Sequence, residues 1–169
     1  MNIFAFDPNP ELSALWLDDV RKNKMITETC QILSTAMNIL VPNHKYDVMA
    51  SFNPKHGSNV WARASLDNFK WLLTYVRHLN NQRGPNADGS RHAAFPVLIQ
   101  AEGFAFEHRD AFPAVYLTPF SNNAARQDIG ISYKHISDTN LAYRLYIRER
   151  WANDPFTPSW KHGNEPWWR

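Results

Sequence analysis

Arg21, Lys24, Glu28, Gln31 and Thr35 follow one another at intervals of three and four residues. At about 100° per residue those intervals put all five on one narrow face of a helix. A carboxylate one turn from a lysine and two turns from an arginine has the composition of an acid/base with phosphate-binding cations beside it. The same spacing suits a stabilising glutamate–lysine ion pair, so spacing alone leaves both readings open. The surroundings add some weight to the chemical reading: Ile26, Cys30, Leu33, Met37 and Leu40 fall on the opposite face, while Met25, Ile32, Ala36 and Ile39 flank the polar stripe. A helix with apolar neighbours on most sides runs through the centre of its domain, and Glu28 there is partly desolvated.

A second group lies near the other end of the chain. Arg144 and Arg148 share a helix face, with Arg150, Lys161 and Arg169 beyond them and tryptophans between. Cations interleaved with aromatic rings suit backbone contact and base stacking on nucleic acid; a solvated face beside an aromatic core is the alternative. Asn53-Pro54-Lys55-His56-Gly57, just ahead of a helix, has the makings of a phosphate cradle or of an ordinary connection. The seven histidines show no i,i+4 pairing and no HExxH, so neither a metal nor another cofactor is expected. The absence of GxSxG and of a glycine-rich phosphate loop leaves serine-hydrolase, P-loop and dinucleotide-binding classes without support.

The elements that position these residues are helical, and the fold class expected is all-α, one domain over residues 1–169. Asp7-Pro8-Asn9-Pro10 reads as a turn into a helix near Glu11 to Leu17, after a short extended segment over residues 2–6. The central helix spans Asp19 to Leu40. Ser58 caps a second long helix to Gln82, with Val60, Leu66, Phe69, Val76 and Leu79 in its apolar stripe. Gln82 to His92 has the composition of a mobile surface loop that orders on ligand binding. Phe95 to Phe106 is either a short helix or extended, and Glu107 to His135 mostly loop. Ser137 caps a third helix, Asp138 to Ala152, with Leu141, Leu145 and Trp151 facing the core.

Composition sets the limits. A chain of 169 residues with 44% hydrophobic and 20% charged residues suits one soluble globular domain. No apolar run approaches the roughly 18 residues of a membrane span, and MNIFAFDPNPE lacks a secretory pattern, so the cytoplasm is expected. The single cysteine, Cys30, falls on the apolar face and reads as core. A net charge of +2 and a pI near 8.7 permit nucleic-acid binding without indicating it. Aromatic content is 14%, and Trp151, Trp160, Trp167 and Trp168 crowd the last nineteen residues, as core padding or as a stacking surface.

The order of motifs resembles a family. NIF-x-x-D at residues 2–7, KMITETCQILSTA, KHGSNVWARASLDNFKWL, LTPF at Leu117 to Phe120, AYRLYIRERW and a C-terminal PWW look like small phage pyrimidine-dimer DNA glycosylases over nearly the whole chain. These are similar, more distantly, to dimer glycosylases of the endonuclease V type, which are all-helical, kink DNA and cleave the glycosidic bond of a damaged base. The resemblance implies a primary amine at the N-terminus that attacks the sugar C1′ to form an imine, and a glutamate on the first long helix that assists and promotes β-elimination. Glu28 matches that glutamate. An α-amine has a pKa near 8, about two units below lysine, so more of it is nucleophilic at physiological pH.

By the same resemblance the nucleophile is the amine of Met1 (or of Asn2), with Met1 expected to stay because Asn2 is bulky for methionine aminopeptidase. Lys24 is the fallback, provided burial or Arg21 lowers its pKa. The DNA contacts implied are Arg21, Lys24, His56, Arg63, Arg144, Arg148 and Trp160. Arg21 stands where the phage relatives usually have histidine, which replaces a possible proton donor by a fixed cation. The implied partner is double-stranded DNA bound by a monomer, and the implied activity glycosylase with abasic-site lyase on a damaged or modified pyrimidine. The alternatives are a phage DNA-binding or host-interaction protein on that scaffold, or an enzyme that modifies a base without removing it.

Overall fold

The computed structural model describes residues 2–169, and its fold is all-α. Among the described residues six α-helices follow in order: α1 Pro10–Leu15, α2 Asp19–Leu40, α3 Gly57–Ala64, α4 Leu66–Arg83, α5 Phe95–Glu107 and α6 Thr139–Asn153. The only paired strands among the described residues are the two-residue β1 Ala125–Arg126 and β2 Ile131–Ser132, antiparallel around Gly130. Gly130 has φ 71°, the left-handed conformation such a turn favours glycine for. Helix α2 packs against α3, α4 and α5, so it is central, with apolar residues on most sides of its polar stripe. No helix among the described residues is long and apolar enough to cross a membrane.

The second long helix of the sequence reading is broken in two. Ser65 is extended (φ −154°, ψ 157°), ends α3, and caps α4 by accepting from the Asn68 N–H at 3.1 Å. The break frees the Leu66 N–H to donate to the Ala114 carbonyl at 2.8 Å, which anchors the long connection after α5. It also shifts the helical phase, and Val60 lies 45% exposed instead of in the core. Residues 95–107 are helical, and Gly103 is there because a Cβ would come 3.1 Å from the Tyr46 ring.

Helix α6 starts one residue after Asp138, whose Oδ1 accepts from the N–H groups of Asn140 and Leu141; Ser137 is not the cap. Its buried face is Ala142, Tyr143, Tyr146, Ile147 and Trp151, and Leu141 is exposed. Aromatic rings took the core positions because they bury more apolar area than the leucines and their hydroxyls find partners. Against them lie Ile3, Phe4, Ala5 and Phe6, all buried, with Phe4 stacked on Tyr146 and Phe6 against Trp168. Trp168 stacks in turn on Trp151, so most of the C-terminal tryptophans are core, while Trp167 is exposed. Cys30 is buried with its Sγ 3.4 Å from the Ala94 carbonyl, and burial pushes the thiol up to about 12.

Candidate active site

The polar stripe of α2 divides into two functional halves. Toward the C-terminal end, Gln31 Nε2 donates to the Ala50 carbonyl at 2.6 Å and Thr35 Oγ1 accepts from the Phe52 N–H at 3.1 Å. Ser34 and Asn38 hold Met49 in the same way, so this half fastens the loop after α2. Toward the N-terminal end, Arg21, Lys24 and Glu28 line a cleft of about 680 Å³. Asn2 and Phe4 form one side of it, His56 another, and the 123–134 segment a third.

Glu28 is 19% exposed, and its two oxygens have different partners. Oε2 accepts from the backbone N–H of Asn2 at 3.0 Å, and Oε1 lies 3.5 Å from Lys24 Nζ. Asn2 is itself held: its Oδ1 accepts from the Ile3 N–H at 2.9 Å and from the Tyr143 hydroxyl at 2.7 Å. The Tyr143 hydroxyl accepts from the Asn123 N–H at 3.2 Å, and burial pushes its pKa well above the ordinary phenol value. One buried phenol thus ties residue 2, α6 and the 121–123 segment together beside Glu28. Met1, proposed in the sequence reading to carry the reacting amine, lies outside the described residues.

Lys24 is 75% exposed, so of the two routes to its fallback role as nucleophile burial is missing, and Arg21, the other, is engaged by two carboxylates. Arg21 is the opposite case. Its guanidinium is buried between Asp18, at 2.7 Å, and Asp154, which Arg150 also contacts at 3.1 Å, and it lies over the Phe156 ring. Asp18 is fully buried: it caps α2 through the Arg21 N–H and accepts from Trp151 Nε1 at 2.8 Å. This four-residue ion cluster ties the start of α2 to the end of α6, and its two arginines line the cleft.

The remaining sequence candidates separate likewise. Arg144 donates to the Phe6 carbonyl at 2.7 Å and to Asp7 at 3.3 Å, with Trp16 and Trp168 beneath it. Arg63 donates to the Pro54 carbonyl at 2.8 Å and so fixes the turn that carries His56. Trp160 is half-buried, edge-on to Trp151, with its Nε1 donating to the Trp16 carbonyl at 2.9 Å. Arg148 is exposed on α6, outside the cleft lining.

Among the cleft residues not singled out from sequence are Asn123, Arg126 and Lys134. Their segment is hooked in place by Asn122, whose Nδ2 donates to the carbonyls of Tyr133 and Ile136, and by Asn123, whose Nδ2 donates to Ser58 Oγ. Gly57 permits that approach, because a Cβ there would collide with Ser121 Oγ. The signal in the sequence was the Asp128-Ile129-Gly130 turn followed by alternating Ile131 and Tyr133, which is hairpin chemistry. Arg126 is occupied by Asp128 at 2.9 Å, whereas Lys134 is exposed at the cleft mouth. Among the described residues no group of His, Cys, Asp and Glu side chains is assembled to hold a metal ion.

Compared with known proteins, the chain matches no family model, no curated protein and no solved structure.

Proposed function

We propose that the cleft performs imine chemistry on DNA, removing a damaged or modified pyrimidine from a duplex and nicking the strand at the abasic site. The observation that carries this reading is the 3.0 Å bond from the Asn2 N–H to Glu28 Oε2, which brings the start of the chain to a half-buried carboxylate inside a cation-rimmed cleft. In this reading the amine is that of Met1, or of Asn2 where Met1 is removed. Its lone pair attacks C1′, the bond from C1′ to the base breaks, and the bonding pair leaves with the base. Glu28 accepts the proton that the amine sheds and returns it to the ring oxygen as the C1′–O4′ bond breaks and the imine forms. The carboxylate so regenerated can take a C2′ proton, and the electrons released expel the 3′ phosphate.

Phosphate contacts in this scheme fall first to Lys24 and Lys134, with Arg148 outside the cleft. Arg21 and Arg144 contribute field and shape from within their ion pairs. The test is borohydride trapping on duplexes carrying an abasic site or a thymine dimer. A reduced protein–DNA adduct, lost when the N-terminal amine is blocked, supports the reading; an adduct through Lys24 contradicts the amine assignment. Salt-sensitive binding with no adduct would mean a DNA-binding protein without the bond cleavage, and an intact strand with a nucleoside of changed mass would mean base modification.

A further inference from the structure

His56 has a fixed tautomer and a free edge. It caps α3: its Nδ1 accepts from the Ser58 N–H at 3.2 Å, and its carbonyl accepts from the N–H groups of Asn59 and Val60 at 2.9 and 3.0 Å. Its own N–H donates to the Asn53 carbonyl at 2.9 Å, so the backbone on both sides is pinned. With the Nδ1 lone pair engaged by an N–H, a neutral ring carries its proton on Nε2. That atom makes no hydrogen bond to a described residue, and the ring lines the cleft that holds Glu28, Asn2 and Lys134. A second proton on Nδ1 would break the cap and place a cation at the positive end of a helix.

We propose that His56 is a neutral hydrogen-bond donor in the Glu28 cleft, presenting Nε2–H to a carbonyl oxygen of the base as negative charge builds on it. The inference rests on the glycosidic-cleavage reading of the cleft and gives it a substrate requirement, an acceptor oxygen on the leaving base. His56 transfers no proton in this step; it stabilises the departing electron pair and releases the base with its ring unchanged. A neutral imidazole held at a helix N-terminus serves as an electrophile in this way in other enzymes. Burial holds the pKa of the ring below the ordinary histidine value; among the described charged groups acting on it, Glu28 opposes that shift and Lys134 adds to it.

Two substitutions separate the donor from the cap. His56→Asn keeps an oxygen placed to accept from the Ser58 N–H but falls short of the Nε2 position; His56→Gln reaches that position with an N–H and weakens the cap. The donor role predicts that His56→Asn melts with wild type yet loses on the order of 10²-fold in base release, the cost of one preorganised donor. It predicts that His56→Gln is less stable yet retains much of the rate. In ¹⁵N NMR of the free protein at pH 7, Nε2 should carry the proton and Nδ1 none. Wild-type base release with undiminished rate in His56→Asn, or a ring protonated at both nitrogens at pH 7, overturns this inference and leaves the imine reading standing. Failure of the wild type to trap DNA overturns the imine reading itself, and the donor role falls with it.

Discussion

Glu28 accepts the backbone N–H of Asn2 at 3.0 Å, although 26 positions separate them and α1 lies between. The intervening chain does not obstruct the approach because residues 3–6 turn inward at once, burying Ile3, Phe4, Ala5 and Phe6 against α6. Helix α1 packs on α4 and contributes no residue to the lining of the cleft.

Replacing Glu28 by Gln should keep the fold, since an amide oxygen can still accept from Asn2. It should remove the proton acceptor, with a loss of about 10²–10⁴-fold in base release. Turnover on a dimer-containing duplex measures this, with circular dichroism as the control for folding. Full activity in the variant would remove Glu28 from the chemistry.

The ion cluster of Asp18, Arg21, Asp154 and Arg150 predicts a large stability effect from one atom group. Asp18→Ala deletes the α2 cap, strands the Trp151 indole N–H and leaves Arg21 with one of its two carboxylates in a buried site. Breaking a buried pair from one side costs about 3–5 kcal/mol. Urea unfolding of the variant should show that loss, and a change below about 1 kcal/mol would mean the cluster is an ordinary surface network.

The same cluster shows where sequence reading reached and where it stopped. Helix α2 was legible to the residue, because a capping aspartate precedes it, Pro42 follows it, and its apolar residues keep helical period throughout. Glu28 was legible as a carboxylate among apolar neighbours. The partners of Arg21 were not, since Asp154 is 133 positions away and nothing in local periodicity pairs them. The break at Ser65 escaped notice because the apolar spacing continues across it; the deciding interaction, Leu66 N–H to the Ala114 carbonyl, is long-range. For residues 107–135, asparagine side-chain hooks replace helical periodicity as the organising force, so beyond the short hairpin signal at Asp128 to Tyr133 nothing local places Asn123 and Lys134 at the cleft.

Asp19 latches the C-terminal tail. Its Oδ2 accepts from the Lys161 N–H at 2.7 Å and the Ser159 hydroxyl at 3.0 Å, and its Oδ1 from Lys22 Nζ at 3.0 Å. Burial raises the carboxyl, but the Lys161 N–H, Lys22 and Ser159 together outweigh it and hold the pKa below the ordinary value of 3.8. A depressed carboxyl stabilises the folded state above its unfolded pKa, and that stability is lost as pH falls from 3.8 through the lower folded value. Asp19→Asn should therefore cost about 2 kcal/mol at neutral pH, with the gap to wild type closing in that acid window. Thermal unfolding from pH 2 to 7 measures it, and a gap independent of pH would assign the latch to shape alone.

The two classes of cation should behave differently toward DNA. Lys24 and Lys134 are exposed at the cleft, whereas Arg144 is spent on the Phe6 carbonyl, Asp7 and two indole rings. A cation that neutralises a phosphate releases counterions, and its removal lowers the slope of log affinity against log salt by about 1. Lys24→Gln and Lys134→Gln should each lower the slope by about that amount and leave the melting temperature unchanged. Arg144→Gln should do the reverse, keeping the slope and lowering stability, because its removal unfastens Phe6 and uncovers Trp16 and Trp168. Fluorescence anisotropy on a labelled duplex at several salt concentrations separates these outcomes. A reduced slope for Arg144→Gln with unchanged stability would mean that Arg144 leaves its ion pair to bind phosphate.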